Sequence, residues 1–331
     1  MMMSIGDLAQ TLSMKRQNAT LKLMMQEKGQ EVTTGRVADA GRALRGDFAP
    51  LAAIDTSVAR LEGFRAATTE AGTVASVMQT ALTTLSDLSS QLASSLLTAA
   101  GSGLQQQITS LGQDARQRLE TAIGVLNTQF ADKALFSGIE TGRPPLPDAL
   151  AFLTTLEGVV AGAISAADVE EMLTGWFDSP TGYDATYQGG APRAAMEIGP
   201  GEQVSISITA RDEGIRNSLK GLAMAALLDR GVLQGQAVGR ADLARRAGLS
   251  LTDTASARTL LSAELGIAEA RIDQAATRNG AEMSALQIAR TSLVAADPYE
   301  AATRLEQAET QLQALYSITV RLSRLSLADY L

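Results

Sequence analysis

Residues 51–99 repeat their apolar side chains every seven positions, and that repeat constrains the chain more than any other feature. Phe64, Ala71, Met78, Leu85 and Leu92 form one seam; Leu61, Thr68, Ala75, Leu82, Ser89 and Leu96 form a second. A seven-residue repeat keeps one stripe of a helix turned toward a partner. The segment therefore predicts a long helix in a bundle, or a coiled coil with polar interruptions. Gly101-Ser102-Gly103 breaks it, and residues 104–131 predict a return helix with Leu104, Ile108, Leu111, Ala115, Leu119 and Ala122 on one face. So short a connection makes the two helices antiparallel.

The second half of the chain repeats the pattern. Residues 252–294 place Leu265, Ile272, Asn279, Leu286 and Leu293 seven apart, with Ala268, Ala275 and Ala289 in the companion seam. Asn279, followed by Gly280, has two readings: a buried polar residue that sets helix register, or a local kink or exposed position. Asp297, Pro298 and Glu300 then read as the N-cap, first and third positions of a last helix. Along it Leu305, Ala308, Leu312, Leu315 and Leu322 keep heptad spacing, and the apolar pattern continues through Leu325, Leu327, Tyr330 and Leu331. Chain ends usually fray into polar tails, so this pattern predicts an end used for packing. Residues 4–34 predict a first helix with Ile5, Leu8, Leu12, Leu21 and Met25 on one stripe, ending at Thr34-Gly35-Arg36. Residues 35–50 hold three glycines and predict a loop with broken helical turns.

The middle differs. Six of the eight prolines fall between residues 136 and 203, together with Trp176, Phe152, Phe177, Tyr183 and Tyr187, which marks a separate, smaller module. Val204, Ile206, Ile208 and Ala210 alternate strictly after Gly199-Pro200-Gly201-Glu202, and Ala194 to Ile198 precede that turn; together they predict a β-hairpin. Residues 148–174 predict one or two short helices, and 219–227 another. The expected fold is mainly α: long antiparallel or coiled-coil-like helices from both termini, with a small α/β, hairpin-containing outer domain inserted in the middle. It divides into an N-terminal assembly helix (1–35), the first half of a helical rod (36–135), the outer mixed domain (136–211), the second half of the rod (212–296) and a C-terminal assembly helix (297–331).

Composition removes whole classes of function. The net charge is −8 and no cluster of Lys or Arg offsets it, so a phosphate backbone is not an expected partner. No basic segment followed by an apolar one opens the chain, so no cleaved signal is expected. The longest nearly uncharged stretch, Ala71 to Gln113, is rich in Ser, Thr and Gln, so no membrane insertion is expected. There is no cysteine and no histidine. Thiolate chemistry, Ser-His-Asp triads and histidine-ligated metals therefore have no residues to work with. Glu170-Glu171 and Asp212-Glu213 are the remaining carboxylate pairs and read as solvated surface. No catalytic, cofactor-binding or metal site is expected, and the chain does not read as an enzyme.

Several short motifs, in order, carry a likeness. Ala270-Arg271-Ile272-Asp273 through Asn279-Gly280, then Asp297, Glu300-Ala301-Ala302-Thr303, Leu305, Leu312 and Ala314, follow the last two helices of a known pattern. Ala134-Leu135-Phe136-Ser137-Gly138 before Pro144-Pro145, Tyr187-Gln188-Gly189-Gly190 with Arg193 and Ile198, and Val32-Thr33-Thr34-Gly35-Arg36 add to it. The chain resembles the flagellin family of bacterial axial proteins. The ending Ser326-Leu327-Ala328-Asp329-Tyr330-Leu331 is similar to that of the hook-associated members found at the hook–filament junction.

The resemblance implies a structural, secreted, extracellular subunit exported unfolded by the flagellar type III pathway. Its terminal helices would assemble with copies of itself, and residues 137–210 would face outward. Flagellin, another hook-associated protein and a cytoplasmic export chaperone are the implied partners. The assembly residues would be Leu8, Leu12, Leu21, Leu305, Leu312, Leu315, Leu322, Leu325, Leu327, Tyr330 and Leu331. The rod would pack through Phe64, Met78, Leu85, Leu92, Leu265, Ile272, Asn279, Leu286 and Leu293. Two other classes share such a layout: a filament flagellin, and a helical secreted effector or adhesin.

Overall fold

The computed structural model describes residues 5–328, with side chains in the terminal helices described for residues 9–321. The fold is mainly α, with long helices at both ends and two small β-hairpins in the middle. The chain forms two compact units. One comprises the residues up to Glu62 and those from Gly280 onward; the other comprises Gly63–Asn279.

The first unit is built on α1 (Ile5–Thr34) and α11 (Pro298–Ala328), with the short α2 (Ala40–Ala43), the start of α3 (Ala49–Ser102) and the end of α10 (Ala255–Val294). Gly35, at φ +66°, stops α1, and its amide closes on the Glu31 carbonyl. A left-handed glycine just past a helix end takes up the free carbonyls of the last turn. A short bridge then ties the two chain ends: Val37 donates to the Val294 carbonyl and Ala296 to the Gly35 carbonyl, each at 3.0 Å. Asp297 caps α11 as expected, its carboxylate accepting from the amides of Tyr299 at 2.9 Å and Glu300 at 3.1 Å.

The second unit shares one continuous hydrophobic core. Phe136, Phe152, Leu173, Phe177 and Ile198 from the middle of the chain belong to the same core as Met78, Leu85, Leu119, Leu222 and Ile272 from the long helices. Gly103, at φ +69°, turns α3 back into α4 (Gln105–Leu126). Arg118 on α4 reaches the Leu88 carbonyl on α3 at 3.3 Å, as antiparallel neighbours can. Two short helices, α5 (Ala149–Val159) and α6 (Ala166–Asp178), occupy the region where one or two were expected. A capping box between Ser165 and Asp168 starts α6. The single turn α7 (Tyr183–Thr186) follows, and α8 (Glu213–Ala226) starts earlier than the helix expected over 219–227 and ends one residue before it does.

Four features depart from the sequence reading. First, α4 ends at Leu126 rather than 131. The Asn127 side chain then brackets the backbone of Leu146, donating to its carbonyl at 3.0 Å and accepting from its amide at 3.1 Å. A hairpin follows, β1 (Gln129–Phe130) with β2 (Lys133–Ala134). Its two turn residues, Ala131 and Asp132, both have positive φ (48° and 60°). That is a type I′ turn, which usually announces itself with Asn-Gly.

Second, the expected hairpin exists but is shorter, β3 (Met196–Gly199) with β4 (Glu202–Val204) and an irregularity between Glu197 and Gly199. Ile208 and Ala210 are buried without joining the ladder; Ala210 donates instead to the Phe136 carbonyl at 3.0 Å. Third, a separate helix, α9 (Ala237–Asp253), precedes α10. No Gly or Pro marks the break at Thr254. The Thr254 hydroxyl bonds the Ser250 carbonyl at 2.7 Å, and buried Arg258 takes the Leu251 carbonyl at 3.1 Å. Fourth, α1 turns a different stripe inward, as described next.

Candidate assembly interface

Helices α1 and α11 run antiparallel, and their contacts define the candidate interface. On α1 the covered positions are Met14, Asn18, Leu21, Met25 and Lys28, spaced four and three apart in turn. On α11 they are Ala301, Leu305, Ala308, Leu312 and Leu315, at the same spacing. That alternation is the seam of a two-stranded coiled coil. The alanines at 301 and 308 let the backbones approach, and Leu21 and Leu315 are the large buried residues, 5% and 9% exposed.

Of the expected assembly residues, Leu21, Leu305, Leu312 and Leu315 lie in this seam. Leu12 does not; it is 48% exposed on the outer side of α1, because Met14 and Asn18 hold the inward positions. The side chains of Leu8, Leu322, Leu325 and Leu327 lie outside the described residues, as do Tyr330 and Leu331.

Polar groups fix the alignment of the pair. Glu31 is buried near the end of α1. It accepts from Lys28 at 2.5 Å and from the Ala38 amide at 3.2 Å. Burial alone would push its carboxyl up, but these bonds and the positive charges of Lys28 and Arg304 hold it below the ordinary carboxylate value. Farther along, hydrogen bonding with Asn18 holds the Tyr316 hydroxyl below the ordinary phenol value, with Lys22 adding to the effect. The charge of Arg304 near Glu31, and the bonding of Asn18 with Tyr316, are cross-helix relationships that sequence reasoning missed. Asn18 could have been found, since it stands three residues before Leu21 on the seam.

The expected rod residues are placed as follows. Met78, Leu85, Leu92, Leu265, Ile272 and Asn279 are buried in the second unit. Phe64, Leu286 and Leu293 are half-buried. Asn279 is 4% exposed and donates to the Ile198 carbonyl of β3 at 2.8 Å. It is the buried polar residue of the two readings, but its partner is a strand rather than a helix.

Residues 249–331 match the family model of the bacterial flagellin C-terminal helical region. That match spans the last 83 of the 331 residues. No curated protein matches the chain. The matched region takes in all of α10 and the α11 half of the terminal seam. The match supports a structural flagellar protein that self-assembles in an extracellular polymer. No helix among the described residues is long and apolar enough to cross a membrane.

Outside the matched region, the 134–138 and 187–193 motifs meet in space. Ser137 donates to the Arg143 carbonyl at 2.8 Å, and Gly190 donates to the Ser137 carbonyl at 2.9 Å. Tyr187 donates its hydroxyl to the carbonyls of Phe136 and Gly190 at 3.3 and 3.2 Å. The residues quoted for the family likeness thus form one hydrogen-bonded knot, which gives them a structural task.

One member of each carboxylate pair is also occupied structurally. Glu170 is bonded to Arg246, and Asp212 accepts from the Thr209 amide at 2.6 Å. Among the described residues, no group of three or more carboxylates could hold a metal ion.

Proposed function

We propose that this chain is a structural axial protein of the bacterial flagellum that forms the junction between hook and filament. The observation that carries the assembly part of the reading is the α1–α11 pair. It closes one seam internally and leaves a second set of apolar side chains at the surface: Leu12, Leu23, Ile318 and Val320 are each about half exposed or more (48%, 59%, 50% and 52%). A helix pair that leaves apolar side chains at its surface is suited to packing against further copies of itself. Residues 1–35 and 297–331 act as the assembly helices, residues 36–135 and 212–296 as the rod, and 136–211 as the outward domain. The implied neighbours are flagellin on one side and another hook-associated protein on the other. A cytoplasmic chaperone holds the terminal helix before type III export.

The junction reading rests on the ending Ser326 to Leu331 and on the 134–138 and 187–193 motifs. The match over 249–331 equally suits a filament flagellin, which is the second reading. Deleting the gene in the source bacterium separates the two. A junction protein leaves hooks without filaments while flagellin accumulates in the medium. A filament subunit leaves bare hooks and no flagellin in the medium. Filaments that stay attached to their hooks contradict both.

A further inference from the structure

The chain has four asparagines, at 18, 127, 217 and 279, and Asn279 alone is followed by glycine. Gly280 is hard to explain by the fold. It lies inside α10, where glycine weakens a helix relative to alanine. A Cβ placed there would meet nothing within 4 Å, so no neighbour excludes a side chain. Asn279 is heavily used in contrast. Its Nδ2 holds the Ile198 carbonyl of β3 at 2.8 Å, it is 4% exposed, and the adjacent Arg278 is bonded to Glu202 of β4. Two consecutive α10 residues therefore latch both strands of one hairpin.

Asn-Gly is the dipeptide in which the following backbone nitrogen most readily reaches the side-chain amide, since glycine offers no Cβ to block the approach. We infer that Asn279-Gly280 is a deamidation site gated by folding, and that the modified chain can no longer latch the β3–β4 hairpin. In the unfolded chain the Gly280 nitrogen attacks Asn279 Cγ. A C–N bond forms, the Cγ–Nδ2 bond breaks, and ammonia leaves a five-membered succinimide. Water then adds to one ring carbonyl and opens the ring to aspartate or isoaspartate. The net exchange is one water in and one ammonia out, with no oxidant or reductant.

The fold blocks this route in two ways. Helical backbone at 279 and 280 points the Gly280 N–H along the helix axis into the hydrogen-bond ladder rather than at its own neighbour's side chain. The amide group that must leave is itself held by Ile198. The product is costly to the fold, because an aspartate carboxylate has no proton to give the Ile198 carbonyl and would face it as two buried acceptors. Isoaspartate adds a carbon to the main chain and breaks the α10 ladder. The consequence falls on chains kept unfolded, and it holds whether the protein sits at the junction or in the filament.

The test uses the full-length chain. Wild type and Gly280→Ala are held in parallel at mildly alkaline pH, folded in buffer and unfolded in urea. The mass of the fragment containing Asn279 is followed with time. Conversion in the unfolded wild type should exceed that in the folded wild type by at least an order of magnitude, and Gly280→Ala should slow it in urea by a similar factor. In addition, Asn279→Asp should lose amide-exchange protection over residues 196–204. Equal conversion of folded and unfolded wild type, equal conversion of both variants in urea, or full hairpin protection in Asn279→Asp would each overturn the inference.

Discussion

The Arg193 guanidinium donates through Nε to the Gly138 carbonyl at 3.1 Å and through a terminal nitrogen to the Ala134 carbonyl at 2.7 Å. One side chain thus fastens a loop more than fifty residues earlier in the chain, and a planar two-pronged donor is needed for it. Burial pulls Arg193 below the ordinary guanidinium value. Arg193→Met removes both donors and leaves two carbonyls of buried residues unpaired, so the second unit should lose about 3 kcal/mol of stability. Arg193→Lys should recover less than half of that. Urea denaturation followed by Trp176 fluorescence measures both; equal stability of Arg193→Lys and wild type would refute the two-pronged role.

Glycine substitutions should split by environment. Gly138 sits at φ +59°, and a Cβ there would lie 2.1 Å from the Ala191 carbonyl oxygen. Gly138→Ala should therefore prevent the loop from closing and cost more than about 4 kcal/mol, the range of severe single changes. Gly124 lies in α4 with nothing within 4 Å of a Cβ. Gly124→Ala should raise stability by about 0.5–1 kcal/mol. Thermal unfolding of the two variants checks the contrast.

The terminal pair should weaken in acid through Glu31. Its carboxyl is held below its ordinary value of 4.5 in the folded state. A lowered folded value means that the unfolded chain binds the proton more readily, so the stabilisation is fully present above the ordinary value. It is lost as pH falls from about 4.5 through the lower folded value. Glu31→Gln should remove this acid-dependent part and leave the pair weaker at neutral pH. Amide exchange of residues 20–34 as a function of pH reads it directly; an unchanged acid profile in Glu31→Gln would assign the effect elsewhere.

Removing residues 312–331 deletes Leu312 and Leu315 from the seam and should abolish assembly. The Gly63–Asn279 unit keeps its own core and should remain folded, with Trp176 fluorescence and amide protection close to wild type. Polymer or ring formation by the truncated chain would refute the role of α11.

Much of the helical layout was legible because heptad seams write themselves into sequence. Met78, Leu85, Leu92, Leu265 and Ile272 are all buried where seven-residue spacing put them. Asp297 was legible for a local reason, since an N-cap depends only on the next three residues. The failures share a different cause. Helix α9 separates from α10 through a Thr254 hydroxyl and the buried Arg258 one turn on, neither of which is a helix-breaking residue. The β1–β2 turn uses Ala131 and Asp132 in a conformation that only tertiary contacts hold. Leu12 was set on the seam by its hydrophobicity, yet Met14 and Asn18 occupy it, and only the position of α11 decides between those stripes. Asn279 could not be resolved by periodicity, because its partner Ile198 lies on a strand.

The central claim is a place in an assembly, and imaging tests it most directly. Intact flagella from the source bacterium, labelled with antibody raised against this chain and viewed by electron microscopy, should carry a single band where hook meets filament. Label distributed along the whole filament would make the chain a filament subunit, and flagella without label would contradict the flagellar account.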